Sequence, residues 1–310
     1  IQMEQEVSSF KHVKYLWDPE KADQLADDQV ALLLYRSNIL GADLRITNYG
    51  GGNTSCKTIE KDPLSGEETE VMWIKGSGGD IGSLTRSGLA GLYVDRLHAL
   101  KNRYRGIEFE DEMVDLFYHC LYDLDSRAPS IDTPLHAFLP FKHIDHLHPD
   151  AIIAVAAAKN GKQITEELFE GKLGWVEWQR PGFDLGLQLE KCLEENPGIT
   201  GIMLGSHGLF TWADNAYDCY INSLETIEKA SLFLEENYGK ERPVFGGAKV
   251  DSLNEKKRKD QAAQLAPVLR GLCSSHKPMI GHFTDDEKVL EFINSNDLEK
   301  LAPMGTSCPD

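Results

Sequence analysis

The sequence predicts a layered domain of the α/β or α+β class. Strand-like and helix-like apolar periods interleave over about the first 240 residues, and glycine turns stand where the period changes. A chain of 310 residues, 41% hydrophobic, can also bury a sizeable core. The 32 basic and 50 acidic residues give a formal net charge of −18, which repels a phosphate backbone and an anionic membrane surface, so neither nucleic acid nor a membrane is expected as partner. A small anionic substrate is not excluded, because a local pocket of backbone N–H groups and a few cations can overcome a distant field. No apolar run approaches the roughly 20 residues of a membrane helix, and the start, IQMEQEVSSFKHVKYLW, lacks the apolar core of a signal peptide. The expectation is a cytoplasmic protein. The six scattered cysteines suit reduced, buried thiols better than disulfides.

Taken in order, residues 24–40 (QLADDQVALLLYRSNIL) have helical spacing with Gly41 placed to end the helix. LRITNYG at 44–50 alternates like a strand, GGNTS at 51–55 reads as a glycine turn, and VMWIKGSGGDIGSL at 71–84 as a short strand entering a second glycine turn. Residues 88–102 and 112–124 read as helices, the second amphipathic through Met113, Leu116, Phe117, Cys120 and Leu121. Asp132-Thr133-Pro134 marks a helix start, with Asp or Thr as cap. AIIAVAAAKNG at 151–161 suits strand or helix; its alanines, the preceding Pro149 and Asp150, and Gly161 at its end favour helix. GWVEWQ at 174–179 reads as a strand, FDLGLQLEKCLEEN at 183–196 as an amphipathic helix, GIMLGSHGLFTW at 201–212 as two strands around a Ser-His-Gly turn, and 214–238 as a long helix. Beyond Val244 charge increases, with helices expected at 253–272 and 284–299, which suggests a first domain at 1–245 and a helical extension at 246–310.

KHIDHLHPD at 142–150 concentrates three of the ten histidines. In an extended chain His146 and His148 project to one side, and His143, Asp145 and Leu147 to the other. Two imidazoles on one strand face can hold a Zn²⁺ at about 2.0–2.1 Å. This makes His143 a bystander, though the pair alone is a weak signal. His207, in a turn between apolar strands with Gly208 beside it to allow close approach, is the candidate third ligand. His136, on the helix that starts at DTP, is left open.

These residues resemble the class II aldolase/adducin family. GGNTS at 51–55 looks like its Gly-Asn-x-Ser turn, KGSGG at 75–79 like its Thr-Pro-Ser/Thr-Gly turn, and PSID at 129–132 is similar to its Pro-Ser-Ser-Glu segment. HLHP and the later SHG resemble its His-x-His and Asn-His-Gly zinc ligands. LLLYRSNILGADLRITNYGGGNTS, HLHPDAIIAVAAAKNG and the terminal GTSCPD look more closely like the aldolase half of bifunctional rhamnulose-1-phosphate aldolase/short-chain dehydrogenases. The resemblance implies a three-layer α/β/α class II aldolase fold with a central, mainly antiparallel sheet. It also implies a homo-oligomer, usually a tetramer. No G-x-G-x-x-G follows a strand, so NAD is expected only if a dehydrogenase domain absent from this chain exists; the initial Ile and the turn-rich end, APMGTSCPD, suggest a fragment.

The implied reaction is zinc-dependent cleavage of a ketose 1-phosphate, with L-rhamnulose 1-phosphate giving dihydroxyacetone phosphate and L-lactaldehyde. Three neutral imidazoles, His146, His148 and His207, would leave Zn²⁺ or another divalent metal its full charge and open positions to stabilise the developing oxyanion. By resemblance Asp132 moves protons, standing where family aldolases carry Glu; it is a candidate base, fourth ligand, partner to a histidine, or helix cap. Asn53, Ser55, Ser77, Gly78 and Ser130 are the implied phosphate cradle, with Lys57 and Lys75 nearby, and Ile131 stands where the family has a second Ser. Asp80 is expected to point away from it. The same site would also serve a pentulose-phosphate 4-epimerase, and an adducin-like scaffold without chemistry is the third reading.

Overall fold

The computed structural model describes residues 10–48, 50–238 and 243–304. The first two helices, α1 (Pro19–Gln24) and α2 (Gln29–Gly41), start at aspartates whose carboxylates accept otherwise unpaired N–H groups: Asp18 from Lys21, and Asp28 from Val30 and Ala31. Seven strands follow, β1 (Asn53–Lys61), β2 (Glu68–Lys75), β3 (Leu89–Tyr93), β4 (His143–Leu147), β5 (Leu173–Val176), β6 (Gly201–Leu204) and β7 (Gly208–Ala213). They form one sheet in the order β3-β2-β1-β4-β7-β6-β5, antiparallel at every step except β5–β6. Between and after them run α3 (Val94–Ala99), α4 (Glu110–Leu116), α5 (Thr133–Ala137), α6 (Asp150–Ala156), α7 (Gly161–Phe169), α8 (Phe183–Glu195) and α9 (Ala216–Asn237).

Helices cover both faces of the sheet. On one, Leu147, Met203 and Leu209 meet Ile152 and Val155 of α6, Ile164 of α7 and Tyr220 and Leu224 of α9. On the other, Ile144, Ile202, Phe210 and Trp212 meet Leu135 of α5 and Leu185 and Leu189 of α8. The three-layer α/β/α arrangement with a mainly antiparallel sheet is thus the observed fold.

Several local expectations are corrected. LRITNYG is not a strand: residues 44–46 are turns, Tyr49 lies outside the described residues, and the Asp43 carboxylate explains the difference. It accepts from the backbone N–H of Arg45 (3.1 Å) and Lys14 (3.0 Å) and from the Arg45 guanidinium, and such side-chain bonds compete with a ladder. Within GGNTS the two glycines lead into the sheet, because Asn53 already opens β1. Residues 88–102 begin as strand β3, whose five residues are all buried and so show no alternation, and become helix only at Val94. The expected helix 112–124 runs instead from Glu110 to Leu116 and tightens into a 3₁₀ turn through Cys120. Gly161 begins α7 rather than ending the preceding helix, which stops at Ala156. Cys56, Cys120, Cys192 and Cys219 are buried free thiols, whereas Cys273 is exposed; Cys308, with the rest of GTSCPD, lies outside the described residues.

By its internal contacts the chain groups into two compact units that divide between Leu234 and Glu235, inside α9. The second contains α10 (Glu255–Cys273), α11 (Glu287–Ile293) and α12 (Leu298–Leu301), so the helix expected over 284–299 is two shorter ones. Within it Asn254 caps α10 by accepting from Lys257 N at 3.0 Å, and Ala248 bridges Ser295.

Candidate metal centre

Three buried histidines meet at one end of the sheet. Ring nitrogens of His146, His148 and His207, one from each residue, all lie within 4.8 Å of one another, and the ring centroids are 4.7–5.1 Å apart. His146 is next to last in β4 and points to the α5/α8 side, His148 follows just beyond the strand, and His207 sits in the turn joining β6 to β7. Gly208 makes that turn possible: a Cβ there would stand 2.6 Å from Leu147 O and 2.9 Å from His148 Cδ2. The preceding Ser206 takes a left-handed conformation, φ +54°.

The donor set fits a divalent metal. His146 Nδ1 lies 3.1 Å from the carbonyl oxygen of Leu209, to which it donates, so its Nε2 is left as the electron-pair donor facing His148 Nε2 at 3.0 Å. Two ligands at tetrahedral angles around Zn²⁺ stand about 3.3 Å apart, close to this spacing. Phe210, directly across the ladder, stacks on the His146 ring at 4.3 Å and 9° and fixes its plane. Burial first, then the neighbouring His148 and His207, hold the His146 imidazole well below its ordinary pKa, so it is the neutral, ligating form.

Beside this cluster β1 supplies Asn53, paired in register with His146 and therefore on the same face. Asn53 Nδ2 donates to Asp132 Oδ2 at 3.3 Å, and Ser130 Oγ donates to the same oxygen at 3.4 Å. Asp132 stands at the start of α5, yet its side chain makes no cap there; Ser130 Oγ accepts from the Asp132 N–H instead. Ser77 and Gly78 occupy an exposed turn fastened to the segment before Ser130, through Ser77 N donating to Ala128 O at 2.8 Å. Ser55 is different: it is fully buried, with Oγ 2.7 Å from His136 Nδ1. Asp80 accepts from Gly50 N at 3.3 Å, linking the two glycine turns. Lys57 is buried and donates to the Ala137 (3.3 Å) and Leu139 carbonyls at the end of α5, and burial lowers its pKa to about 8.

His143 stands outside the histidine cluster and has a different role. On the opposite sheet face its Nδ1 accepts from Arg36 Nη1 at 2.7 Å, while Arg36 Nε donates to Asp145 Oδ1 at 3.0 Å and Nη2 to Ser55 O at 2.9 Å. Ser223 Oγ and Cys219 Sγ donate to the other Asp145 oxygen at 3.2 and 3.3 Å. Arg36 and Asp145 are fully buried, so α2 is tied by an ion pair, and α9 by hydrogen bonds to the same carboxylate, to the strand that carries His146. The signal available in sequence was a lone cation inside the apolar helix ALLLYRSNIL.

The model of the class II aldolase and adducin N-terminal domain matches residues 33–234, and that of a second domain of class II aldolases matches 260–310. The Bacillus subtilis (strain 168) protein called uncharacterized oxidoreductase YuxG is 42% identical over 298 residues, 96% of this chain; the chain spans 42% of that relative's length. The solved N-terminal class II aldolase domain of a conserved protein from Thermoplasma acidophilum is 29% identical with a TM-score of 0.63, covering 73% of this chain and all of that one. The chain belongs to the class II aldolase and adducin family.

Proposed function

We propose that this chain is a metal-dependent lyase that splits a ketose 1-phosphate between C3 and C4, with L-rhamnulose 1-phosphate as substrate and dihydroxyacetone phosphate and L-lactaldehyde as products. The observation that carries this reading is the meeting of His146, His148 and His207, all buried, on the sheet face that also bears Asn53. A divalent ion held by the three rings, Zn²⁺ by the preference of such donor sets, would supply Lewis-acid stabilisation of charge on the substrate oxygens. The residues of the chain do the rest. Asp132, oriented by Asn53 and Ser130, takes the C4 hydroxyl proton as the C3–C4 bond breaks; the bonding electrons pass to the C2 carbonyl, and a proton returns to C3. Asn53, Ser77, Gly78 and Ser130 hold the phosphate, while Ser55 supports the site from behind through His136.

The fusion reading, in which the aldolase domain (1–245) and the helical extension (246–310) lead to a nicotinamide-dependent dehydrogenase, is supported by the relative's length and its name, an oxidoreductase. A cytoplasmic homotetramer completes the proposal; no helix among the described residues is long and apolar enough to cross a membrane. Epimerisation of a pentulose phosphate is the second reading, favoured by the aspartate at 132, one methylene shorter than the family's glutamate. An adducin-like scaffold is disfavoured by the intact histidine trio.

Product analysis by NMR separates these readings. Free lactaldehyde supports cleavage, an isomeric sugar phosphate supports epimerisation, and neither product from a metal-replete sample sinks both. His146→Ala and His207→Ala are expected to lose metal and turnover while keeping most of the fold. Asp132→Asn is expected to reduce turnover about 100-fold or more with bound metal retained, the range general bases supply. Loss of metal as well would make Asp132 a ligand.

A further inference from the structure

We propose that Arg127 is a specificity-determining residue that binds the substrate's phosphate; this rests on the retro-aldol reading for the substrate, though not for the anion site itself. Its guanidinium is already oriented against the glycine turn: Nε donates to Ser77 O at 2.7 Å, and Nη2 lies 3.4 Å from where a Cβ on Gly78 would stand. Gly76 is required by the same approach, since a Cβ there would meet Arg127 Cβ at 2.8 Å and Ala128 O at 3.0 Å. The turn and the 127–132 segment therefore form one wall. Along it Ser77 N–H is tied to Ala128 O, and Ser130 and Asn53 lead through Asp132 to the histidine-bearing face.

Charge gives this arrangement its purpose. A phosphate dianion entering beside Asp80 and Asp132, in a chain of net charge −18, needs a cation at close range. Lys57 and Lys75 are buried, at 6% and 5% exposure, and the Lys57 ammonium donates to the Ala137 and Leu139 carbonyls. Arg127 is exposed, and its fork is held by one bond through Nε, which leaves both Nη groups on an oriented guanidinium. Such a fork takes two phosphate oxygens together, and little conformational freedom remains to be lost on binding.

The test compares the chain with Arg127→Gln and Arg127→Lys. Inorganic phosphate is titrated calorimetrically into chelator-treated protein, so that no metal contributes, and KM and kcat are measured on the Zn²⁺-loaded protein. Arg127→Gln is expected to weaken phosphate binding and raise KM for the ketose 1-phosphate about 10- to 100-fold, with kcat changed little. Arg127→Lys should recover part of the loss, and aldol addition using unphosphorylated dihydroxyacetone should be insensitive to both. Circular dichroism and unchanged thermal midpoints exclude a folding defect, as befits an exposed side chain. Phosphate affinity equal in wild type and Arg127→Gln overturns the proposal, as does wild-type protein that binds no phosphate. Arg127-dependent phosphate binding without cleavage of any ketose phosphate keeps the anion site and sinks the lyase instead.

Discussion

Arg36 is the residue whose removal should be felt most. It is fully buried, and its three partners belong to β1 and β4, so its charge is matched by Asp145 and its remaining donors by His143 and the Ser55 carbonyl. Replacing one partner of such a pair strands the other without solvent, which typically costs about 3–5 kcal/mol. Arg36→Met is therefore expected to lower stability by ~3–5 kcal/mol in urea unfolding, and Arg36→Met with Asp145→Leu by clearly less. A double variant as unstable as the single one would show that Arg36 contributes through packing rather than charge. No periodicity argument reaches this triad, because Arg36 and Asp145 are 109 positions apart.

At the scale of elements, the β6–β7 turn decides whether the third histidine arrives. Ser206 is left-handed and Gly208 closes against Leu147 O and the His148 ring, so the three histidines meet only if this corner stays tight. Gly208→Ala is expected to push His148 and His207 apart and weaken Zn²⁺ binding at least about 10-fold, since first-neighbour perturbations of metal ligands cost that order. Competitive chelator titration measures it; an unchanged affinity would mean the corner is compliant. Elements with a strong period, α8 and α9, were legible to within a few residues. Strands β1 and β3 were not, because one starts in a polar run mistaken for its turn and the other is buried on both faces. The Asp43 turn shows the opposite failure, a clean alternation overruled by one carboxylate.

For the molecule as a whole, the balance of buried imidazoles sets a pH limit on stability. Burial, and then the cations near each ring, lowers His136 to about 3 and His143 to about 2, against an ordinary value of 6.5. In the unfolded chain both rings take a proton below about pH 6.5, while the folded chain keeps them neutral. Their contribution is thus complete above that value and lost progressively as pH falls towards the folded pKa. The expected slope is up to ~1.4 kcal/mol per pH unit for each ring. Urea midpoints compared at about pH 7.5 and about pH 5 should show this loss, and His136→Asn should flatten it. A midpoint that rises on acidification would contradict the neutral-imidazole picture.

Periodicity and turn chemistry in the sequence determined the interleaving of strands and helices, and the alternation of side chains along an extended chain assigned His146 and His148 to one face and His143 to the other. Tertiary structure brought the expected His207 to the His146–His148 pair, and it alone decided other partners across long separations: Asn53 and Ser130 with Asp132, Arg36 with Asp145 and His143, and Arg127 with the Ser77 turn. The physical reason is range. Apolar period and backbone preference act over a few residues and leave a readable pattern, whereas a buried charge or a metal ligand takes its meaning from strand order and register, which no single segment contains.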